Sequence, residues 1–202
     1  MVILNEPARG GDVEPLAAFA VHEHEIAGKH RSDFFLCKDV NEPRFREVVE
    51  SLLRDDRVSG IIVRPHPKNL WLGLDEWISS RSDARISRTF GNSVVRDVQD
   101  SDIVLAGNSS VLVDAVIAGR PGCYVPGLDY GSSDLHEFVA RGLIYPIAQD
   151  LGLDLDAIFR FYHRPEWPGV LRFFANVDED EVSVARRAAA LMRELAARLE
   201  SA

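Results

Sequence analysis

The sequence has few of the features that mark secreted or membrane-spanning proteins. Its 202 residues include two cysteines, Cys37 and Cys123, which are too few for a disulfide framework and favour a reducing, cytoplasmic setting. No stretch approaches the roughly 20 apolar residues that a membrane span needs, and the apolar run at the N-terminus is too short for a secretory signal. We therefore expect a cytoplasmic protein with at most peripheral membrane contact.

Positive charge is scarce as well. The chain has 23 Lys and Arg residues against 32 Asp and Glu residues, for a formal net charge of -9. This balance opposes non-specific attraction to nucleic acid, so nucleic acid is not an expected partner. An anionic ligand would have to be bound by a local group of donors. The length suits one domain over residues 1–202.

Alternating short apolar runs and helical periods predict an α/β fold. Residues 41–126 support this best: Asn41 is an expected N-cap with Pro43 in the first helical turn. Strands are predicted at 2–4, 61–63, 84–88, 102–106 and 123–125, and helices at 41–53, 70–78, 94–98 and 111–118. Such alternation indicates a Rossmann-like, doubly wound parallel sheet with helices on both faces.

The remaining segments are less regular. Residues 12–40 show no sustained period and predict a long irregular segment with one short helix at most. In the helix over 70–78, Trp71, Leu74 and Ile78 are expected to point inward. The region after residue 126 is expected to be rich in loops, and an apolar stripe over 178–200 predicts a long amphipathic C-terminal helix.

The strongest candidate for a binding site is the turn after the predicted strand 102–106. Its residues are Gly107, Asn108, Ser109 and Ser110, and a helix follows directly. A helix N-terminus offers unpaired N–H groups and positive partial charge, serine hydroxyls add donors, and glycine permits close approach, so the turn predicts a phosphate site. The alternative is that Asn108 or Ser109 only caps a core helix.

A second candidate lies at the carboxyl end of the strand 61–63. There Arg64 and His66 are held by Pro65 and Pro67. Ligands of open α/β sheets bind beyond the carboxyl ends of the strands, so these side chains should border the same crevice as the serine turn. The alternative is a proline-bounded turn with a solvated histidine.

Asp114 interrupts an otherwise apolar helix one turn beyond the serines. A carboxylate there needs a partner, and a ribose diol is one, since a carboxylate accepts both hydroxyl protons. A solvent-facing or arginine-paired aspartate is the alternative. Arg9, in the loop after the first predicted strand, is a weaker candidate for a diphosphate contact, the alternative being an exposed loop arginine.

Metal binding is not expected. The segment from His22 to Glu25 places two histidines two residues apart, but no further Cys or His stands at a usual ligand spacing. His136, Glu137 and His163 lie in the later region, and nothing in their spacing indicates that they approach the crevice.

The motifs resemble a known family. Arg64 to Pro67, the run from Asp102 to Ser110, Asp114 with Ala115, and Gly119 to Pro121 are similar to the C-terminal domain of bacterial surface-polysaccharide transferases. That family includes CDP-glycerol glycerophosphotransferases, polysialyltransferases and capsule polymerases. Hydrolysing UDP-N-acetylglucosamine 2-epimerases, which share the GT-B fold, have a similar turn. The resemblance covers residues 60–126 well.

The resemblance implies a single GT-B-type half-domain that binds a nucleotide-linked donor as substrate, CMP-, CDP- or UDP-linked, without a metal or other cofactor. By position, His66 and the turn with Ser109 and Ser110 hold the donor diphosphate, Asp114 contacts the ribose, and His66 assists the leaving phosphate. Arg64, Gly107 and Asn108 are expected to be phosphate-binding as well.

Such transferases have two Rossmann-like domains, and this chain has room for only the donor-binding one. The resemblance therefore implies a missing acceptor-binding domain or subunit, without which catalysis is not expected. Two alternatives stay open from the sequence. One is half of a hydrolysing UDP-sugar 2-epimerase, and the other is a noncatalytic scaffold that keeps the fold.

Overall fold

The computed structural model describes residues 29–89, 93–130, 133–148 and 153–175. Several predictions lie outside these ranges and stay predictions: the strand at 2–4, Arg9, the segment from His22 to Glu25 and the helix over 178–200. Within the described ranges, no helix is long and apolar enough to cross a lipid bilayer.

Six strands and six helices alternate along most of this part of the chain. The strands are β1 His30–Leu36, β2 Val58–Pro65, β3 Ile86–Arg88, β4 Ile103–Ala106, β5 Gly122–Tyr124 and β6 Tyr145–Pro146. The helices are α1 Glu42–Leu53, α2 Leu74–Ser79, α3 Val94–Asp100, α4 Val111–Ile117, α5 Leu155–Tyr162 and α6 Trp167–Ala175.

The strands form one sheet in the order β3-β2-β1-β4-β5-β6. Every pairing between them is parallel. The chain winds outward from β1 to β3, then crosses back to β4 and winds in the other direction. This is the order of a Rossmann-like, doubly wound sheet, so the predicted fold class is confirmed.

Helices cover both faces of the sheet. On one face, the ring of Phe34 in β1 packs edge-on against Phe45 of α1, with ring centroids 5.2 Å apart. The preceding side chain in β1, Asp33, points to the opposite face, where it accepts a hydrogen bond from Ser101, directly after α3, at 2.7 Å. The point where the winding reverses therefore lies between β1 and β4, and ligands of such sheets bind near it.

Predictions that rest on apolar runs are confirmed. The strands β2, β3, β4 and β5 and the helices α1, α3 and α4 lie where the sequence placed them. Asn41 caps α1 as expected, because its side-chain oxygen accepts the N–H of Arg44 at 3.4 Å.

Three predictions are wrong in part. The segment 12–40 is not irregular throughout, since its end forms the central strand β1. The helix predicted over 70–78 begins only at Leu74, so Trp71 precedes it. Trp71 and Leu74 are buried as predicted, but Trp77 is buried where Ile78 was expected, and Ile78 is only partly buried. The region after residue 126 contains α5, α6 and β6 as well as loops.

The central strand escaped prediction because it buries polar side chains. His30, Ser32 and Asp33 are at most 1% exposed. Asp33 is bonded by the guanidinium of Arg31 at 2.8 and 2.6 Å as well as by Ser101. Burial raises the pKa of Asp33, and these hydrogen bonds oppose that rise. The first half of the strand is therefore polar in sequence, and the apolar run that follows it is only three residues long. Asp33 finds its partners through the fold, whereas the side chains of His30 and Ser32 make no hydrogen bond with the described residues.

His30 predicts a specific dependence of stability on pH. Its ring is fully buried, and neither ring nitrogen has a hydrogen-bond partner among the described residues. Burial lowers the pKa of His30 from its ordinary value of 6.5. The unfolded chain therefore binds a proton near pH 6.5 while the folded protein binds it only at lower pH. The stability contributed by the neutral ring is complete above pH 6.5 and is lost as the pH falls below it.

Urea unfolding at about pH 7.5 and about pH 5 measures this effect. The unfolding free energy of the wild type should fall more over this interval than that of His30→Gln, because glutamine does not titrate. An equal fall in the two proteins would contradict the assignment.

Candidate functional site

A cleft with a volume of about 770 Å³ opens at the carboxyl ends of β1, β2 and β4. Its walls are the loop after β2, the turn after β4 and the facing sides of α3 and α4. Five side chains that the sequence predicted to form a site line it: Arg64, His66, Ser109, Ser110 and Asp114. The rest of the lining is mainly apolar and includes Phe35, Val94, Val95, Ile117 and Ala118.

Arg64 is the second-last residue of β2 and is held by a buried acid. Its guanidinium forms an ion pair with Asp97 of α3, whose side chain is 3% exposed, while that of Arg64 is 22% exposed. Thr89 donates a further hydrogen bond to the same carboxylate at 3.4 Å. The guanidinium is thus fixed in the cleft wall, and most of its charge is balanced by Asp97.

His66 is exposed at the mouth of the cleft. The backbone N–H of Lys68 donates to the ring Nδ1 of His66 at 3.0 Å. The backbone N–H of His66 donates to the carbonyl of Leu36 at 2.9 Å. Because Nδ1 is an acceptor in this arrangement, the neutral ring has its hydrogen on Nε2. The loop therefore presents His66 as a hydrogen-bond donor.

The turn after β4 supplies two hydroxyl groups to the cleft. Ser109 is held by its N–H, which donates to the carbonyl of Gly107 at 2.9 Å, and its Oγ accepts the N–H of Val111 at 3.3 Å. Ser110 is exposed, and its side chain makes no capping bond to α4. A serine oxygen that accepts one hydrogen bond can still donate its own hydrogen, so both residues can bind an anion.

The other half of the same turn is bonded to Asp129, a residue that no motif in the sequence indicates. The carboxylate of Asp129 accepts the N–H of Asn108 and also contacts its side-chain amide at 3.4 Å. The side-chain oxygen of Asn108 accepts the N–H of Leu135 at 2.7 Å. A Cβ atom at Gly107 would collide with the carboxylate of Asp129. Any larger residue here would force this carboxylate to move.

Asp129 also interacts with Cys37, which follows β1 on the other side of the reversal point. Burial and, to a smaller extent, the interaction with Asp129 raise the pKa of Cys37 to about 12. The thiol is therefore neutral at physiological pH. Gly107 and Asn108 do not line the cleft itself, and neither does Asp129.

Asp114 lies on the cleft wall one turn into α4. Its side chain is exposed, yet the packed atoms around the carboxylate raise its pKa by desolvation. It is bonded to no arginine in the described part of the chain. It lies on the same cleft wall as the two serines.

The later candidates lie elsewhere. Glu137 pairs with Arg141, and His136 stacks on Phe138 with ring centroids 5.0 Å apart. His163 directly follows α5 and has its Nδ1 at 2.8 Å from the carbonyl of Phe159. None of the three lines the cleft. Among the described residues, no group of three or more His, Cys, Asp or Glu side chains could hold a metal ion.

Comparisons with known proteins show distant structural similarity. No family model matches the sequence, and no curated protein matches it. Glycosyltransferase SnogD from Streptomyces nogalater is 15% identical, with 82% of this chain and 42% of that one covered and a TM-score of 0.45. The C-terminal domain of a group 1 family glycosyl transferase (LpcC) from Francisella tularensis is 14% identical, covering 79% and 96%, with a TM-score of 0.49.

A protein assigned as a UDP-N-acetylglucosamine 2-epimerase from Listeria monocytogenes is 15% identical, covering 85% of this chain and 47% of that one, with a TM-score of 0.47. The chain spans 41 to 42% of the length of SnogD and of two further glycosyltransferases. The fold of this chain is established by its own strand order and pairing.

Proposed function

We propose that the chain is the donor-binding domain of a glycosyltransferase or glycerophosphotransferase of surface-polysaccharide synthesis. It binds the phosphate and the ribose of a nucleotide-linked donor. One observation supports this above all: Arg64, His66, Ser109, Ser110 and Asp114, which come from two separate segments of the sequence, line one cleft at the carboxyl edge of the sheet. That edge is where open α/β sheets bind their ligands.

The chemistry of the cleft suits such a ligand. The hydroxyls of Ser109 and Ser110 and Nε2 of His66 are donors for phosphate oxygens, and Asp114 is an acceptor for ribose hydroxyls. Arg64 adds a fixed guanidinium. Donors that are already in place stabilise the negative charge that develops on a leaving phosphate, so the domain acts by positioning and electrostatics. The proposal includes no metal ion. It places the protein in the cytoplasm.

A second domain or subunit that binds the acceptor belongs to the proposal. Leu70 and Leu72, in the loop beyond His66, are 63% and 94% exposed. Large apolar side chains this exposed beside a binding cleft suit contact with another protein surface. Arg9 remains a further proposed phosphate contact.

Calorimetric titration with CMP, CDP, UMP, UDP and GDP tests the proposal. We expect at least one ribonucleotide to bind. Asp114→Asn should weaken that binding about tenfold, because a charged acceptor to the ribose hydroxyls is lost. The 2′,3′-dideoxy form of the same nucleotide should bind the wild type and Asp114→Asn equally, since it has no diol.

Asp156→Asn is the matched control. Asp156 is an exposed aspartate in the first turn of α5 and interacts with Arg57, at the opposite edge of the sheet. Failure of every nucleotide to bind would favour a noncatalytic scaffold. Binding of UDP with no affinity for CMP or CDP would favour the epimerase-like alternative.

A further inference from the structure

The cleft follows the groove between two helices that run side by side. Each of α3 and α4 connects the carboxyl end of one parallel strand to the amino end of the next, so both helices start at the carboxyl edge and run away from it. On α4, Ser110, Asp114 and Ala118 lie one turn apart on the side that lines the cleft. On α3, Val95 and Gln99 form the facing side. The lining residues are therefore ordered by depth along each helix.

This order matches the order of the parts of a nucleotide. The serines proposed to bind phosphate lie at the start of α4, and Asp114 lies four residues beyond Ser110, about 6 Å along the helix axis. Ile117 lies seven residues beyond Ser110, and Gln99 lies six residues beyond Ser93, the N-cap of α3. Both are thus about 9 to 11 Å from the start of their helix. A nucleotide whose phosphate and ribose bind at the serines and Asp114 places its base at the depth of Ile117 and Gln99.

The surroundings at this depth suit a nucleobase. Val95 on α3 and Ile117 and Ala118 on α4 provide aliphatic walls, which suit the flat faces of an aromatic ring. Among the lining residues that the structure describes, Gln99 has the only polar side chain at this depth. Its amide carries two donor hydrogens and an acceptor oxygen on one planar group. The pairing edge of every base places a donor beside an acceptor, so one amide can bind two neighbouring atoms of that edge.

Gln99 is fixed through its backbone, while its side chain is available. The carbonyl of Gln99 accepts a hydrogen bond from the guanidinium of Arg120 at 3.0 Å, which joins the end of α3 to the loop after α4. The side chain is exposed and makes no hydrogen bond with another described residue. Ser93 differs in this respect, because it lies at the mouth and its Oγ accepts the N–H of Arg96 at 3.1 Å.

We propose that Gln99 reads the nucleobase of the donor, which lies between α3 and α4 beyond Asp114. Gln99 is then a specificity-determining residue of the site. The inference rests on the proposed function and deepens it, since the motifs in the sequence indicate no residue for the base.

Calorimetric titration of the full chain with the ribonucleotide found in the panel and with ribose 5-phosphate tests this. The wild type should bind the nucleotide at least tenfold more tightly than ribose 5-phosphate. Gln99→Met keeps the length of the side chain and removes the amide, so it should weaken nucleotide binding about tenfold and ribose 5-phosphate binding less than twofold.

Three results would overturn the inference and leave the proposed function standing. They are a nucleotide that binds the wild type no more tightly than ribose 5-phosphate, an unchanged nucleotide affinity in Gln99→Met, and an equal loss for both ligands in that variant. Failure of every nucleotide and of ribose 5-phosphate to bind the wild type would overturn both.

A methylated base provides a second measurement. The same nucleotide with a methyl group on the ring nitrogen of its pairing edge should bind the wild type at least tenfold more weakly than the unmodified form. In Gln99→Met the two forms should bind within about threefold of each other, because no hydrogen bond remains to be lost. An equal loss on methylation in both proteins would count against the inference.

Arg96→Met is the matched control. Arg96 lies on the same helix as Gln99, its side chain is 76% exposed, and it does not line the cleft. The affinity of the nucleotide relative to ribose 5-phosphate, and relative to its methylated form, should be the same in this variant as in the wild type. A loss as large as that in Gln99→Met would mean that any change in α3 weakens binding, and would overturn the assignment to Gln99.

Discussion

Replacement of Gly107 by alanine is expected to lower the free energy of unfolding by about 2 to 4 kcal/mol. The added Cβ would occupy the space that the carboxylate of Asp129 fills. The carboxylate would have to move away from the N–H of Asn108 and lose its hydrogen bond in a partly buried place. Chemical denaturation of the purified protein measures the change.

Two further variants separate this collision from a general effect of alanine. A Cβ at Gly169, in α6, would meet nothing within 4 Å, so Gly169→Ala should be neutral or slightly stabilising. In an Asp129→Ala background the obstacle is gone, and the cost of Gly107→Ala should fall by more than half. If the effects of the two substitutions simply add, the contact between Gly107 and Asp129 does not determine the need for glycine.

His66→Asn is expected to keep the fold and lose ligand affinity by about tenfold to a hundredfold. The asparagine oxygen can take the place of Nδ1 and accept the N–H of Lys68, so the loop retains its hydrogen bond. The side chain is too short to place a donor where Nε2 of His66 stands. The nucleotide identified in the titration panel provides the affinity, and thermal unfolding checks the fold.

His66→Gln is the complementary variant, because its amide nitrogen reaches the position of Nε2. We expect it to bind the nucleotide within about threefold of the wild type while it loses the bond to Lys68. His66→Ala should lose both. If His66→Asn bound normally and His66→Gln did not, the ring would act through Nδ1 and the assigned tautomer would be incorrect.

Local signals in the sequence predicted much of the sheet and the place of the cleft. An apolar run such as Ile103 to Ala106 is buried in any register, so it identifies a strand without knowledge of its neighbours. A strand that ends at a proline or glycine leaves its next side chains at the carboxyl edge. The gathering of His66 and Ser109 at one cleft follows from that rule and the parallel sheet.

Features that depend on distant partners could not be predicted in the same way. Asp33 is tolerable in the central strand because Ser101, far along the chain, donates to it. Asp129 follows Asn108 by 21 residues, and no spacing rule connects them. The helix α5 is a different case: Asp154 is its N-cap, and Leu155, Ile158, Phe159 and Tyr162 are buried at helical spacing. That signal was present in the sequence.

The strand order also has a consequence for how the protein is made. β1 pairs with β2 soon after both leave the ribosome, but its other edge pairs with β4, where Ser32 lies opposite Ile103. Until residues 103–106 have been synthesised, the central strand carries a row of unsatisfied backbone groups with Phe34 and Phe35 beside them. An open strand edge is a template for pairing with other chains. The nascent polypeptide is therefore most prone to aggregation before β4 emerges, and slow translation of the segment between β3 and β4 prolongs that interval.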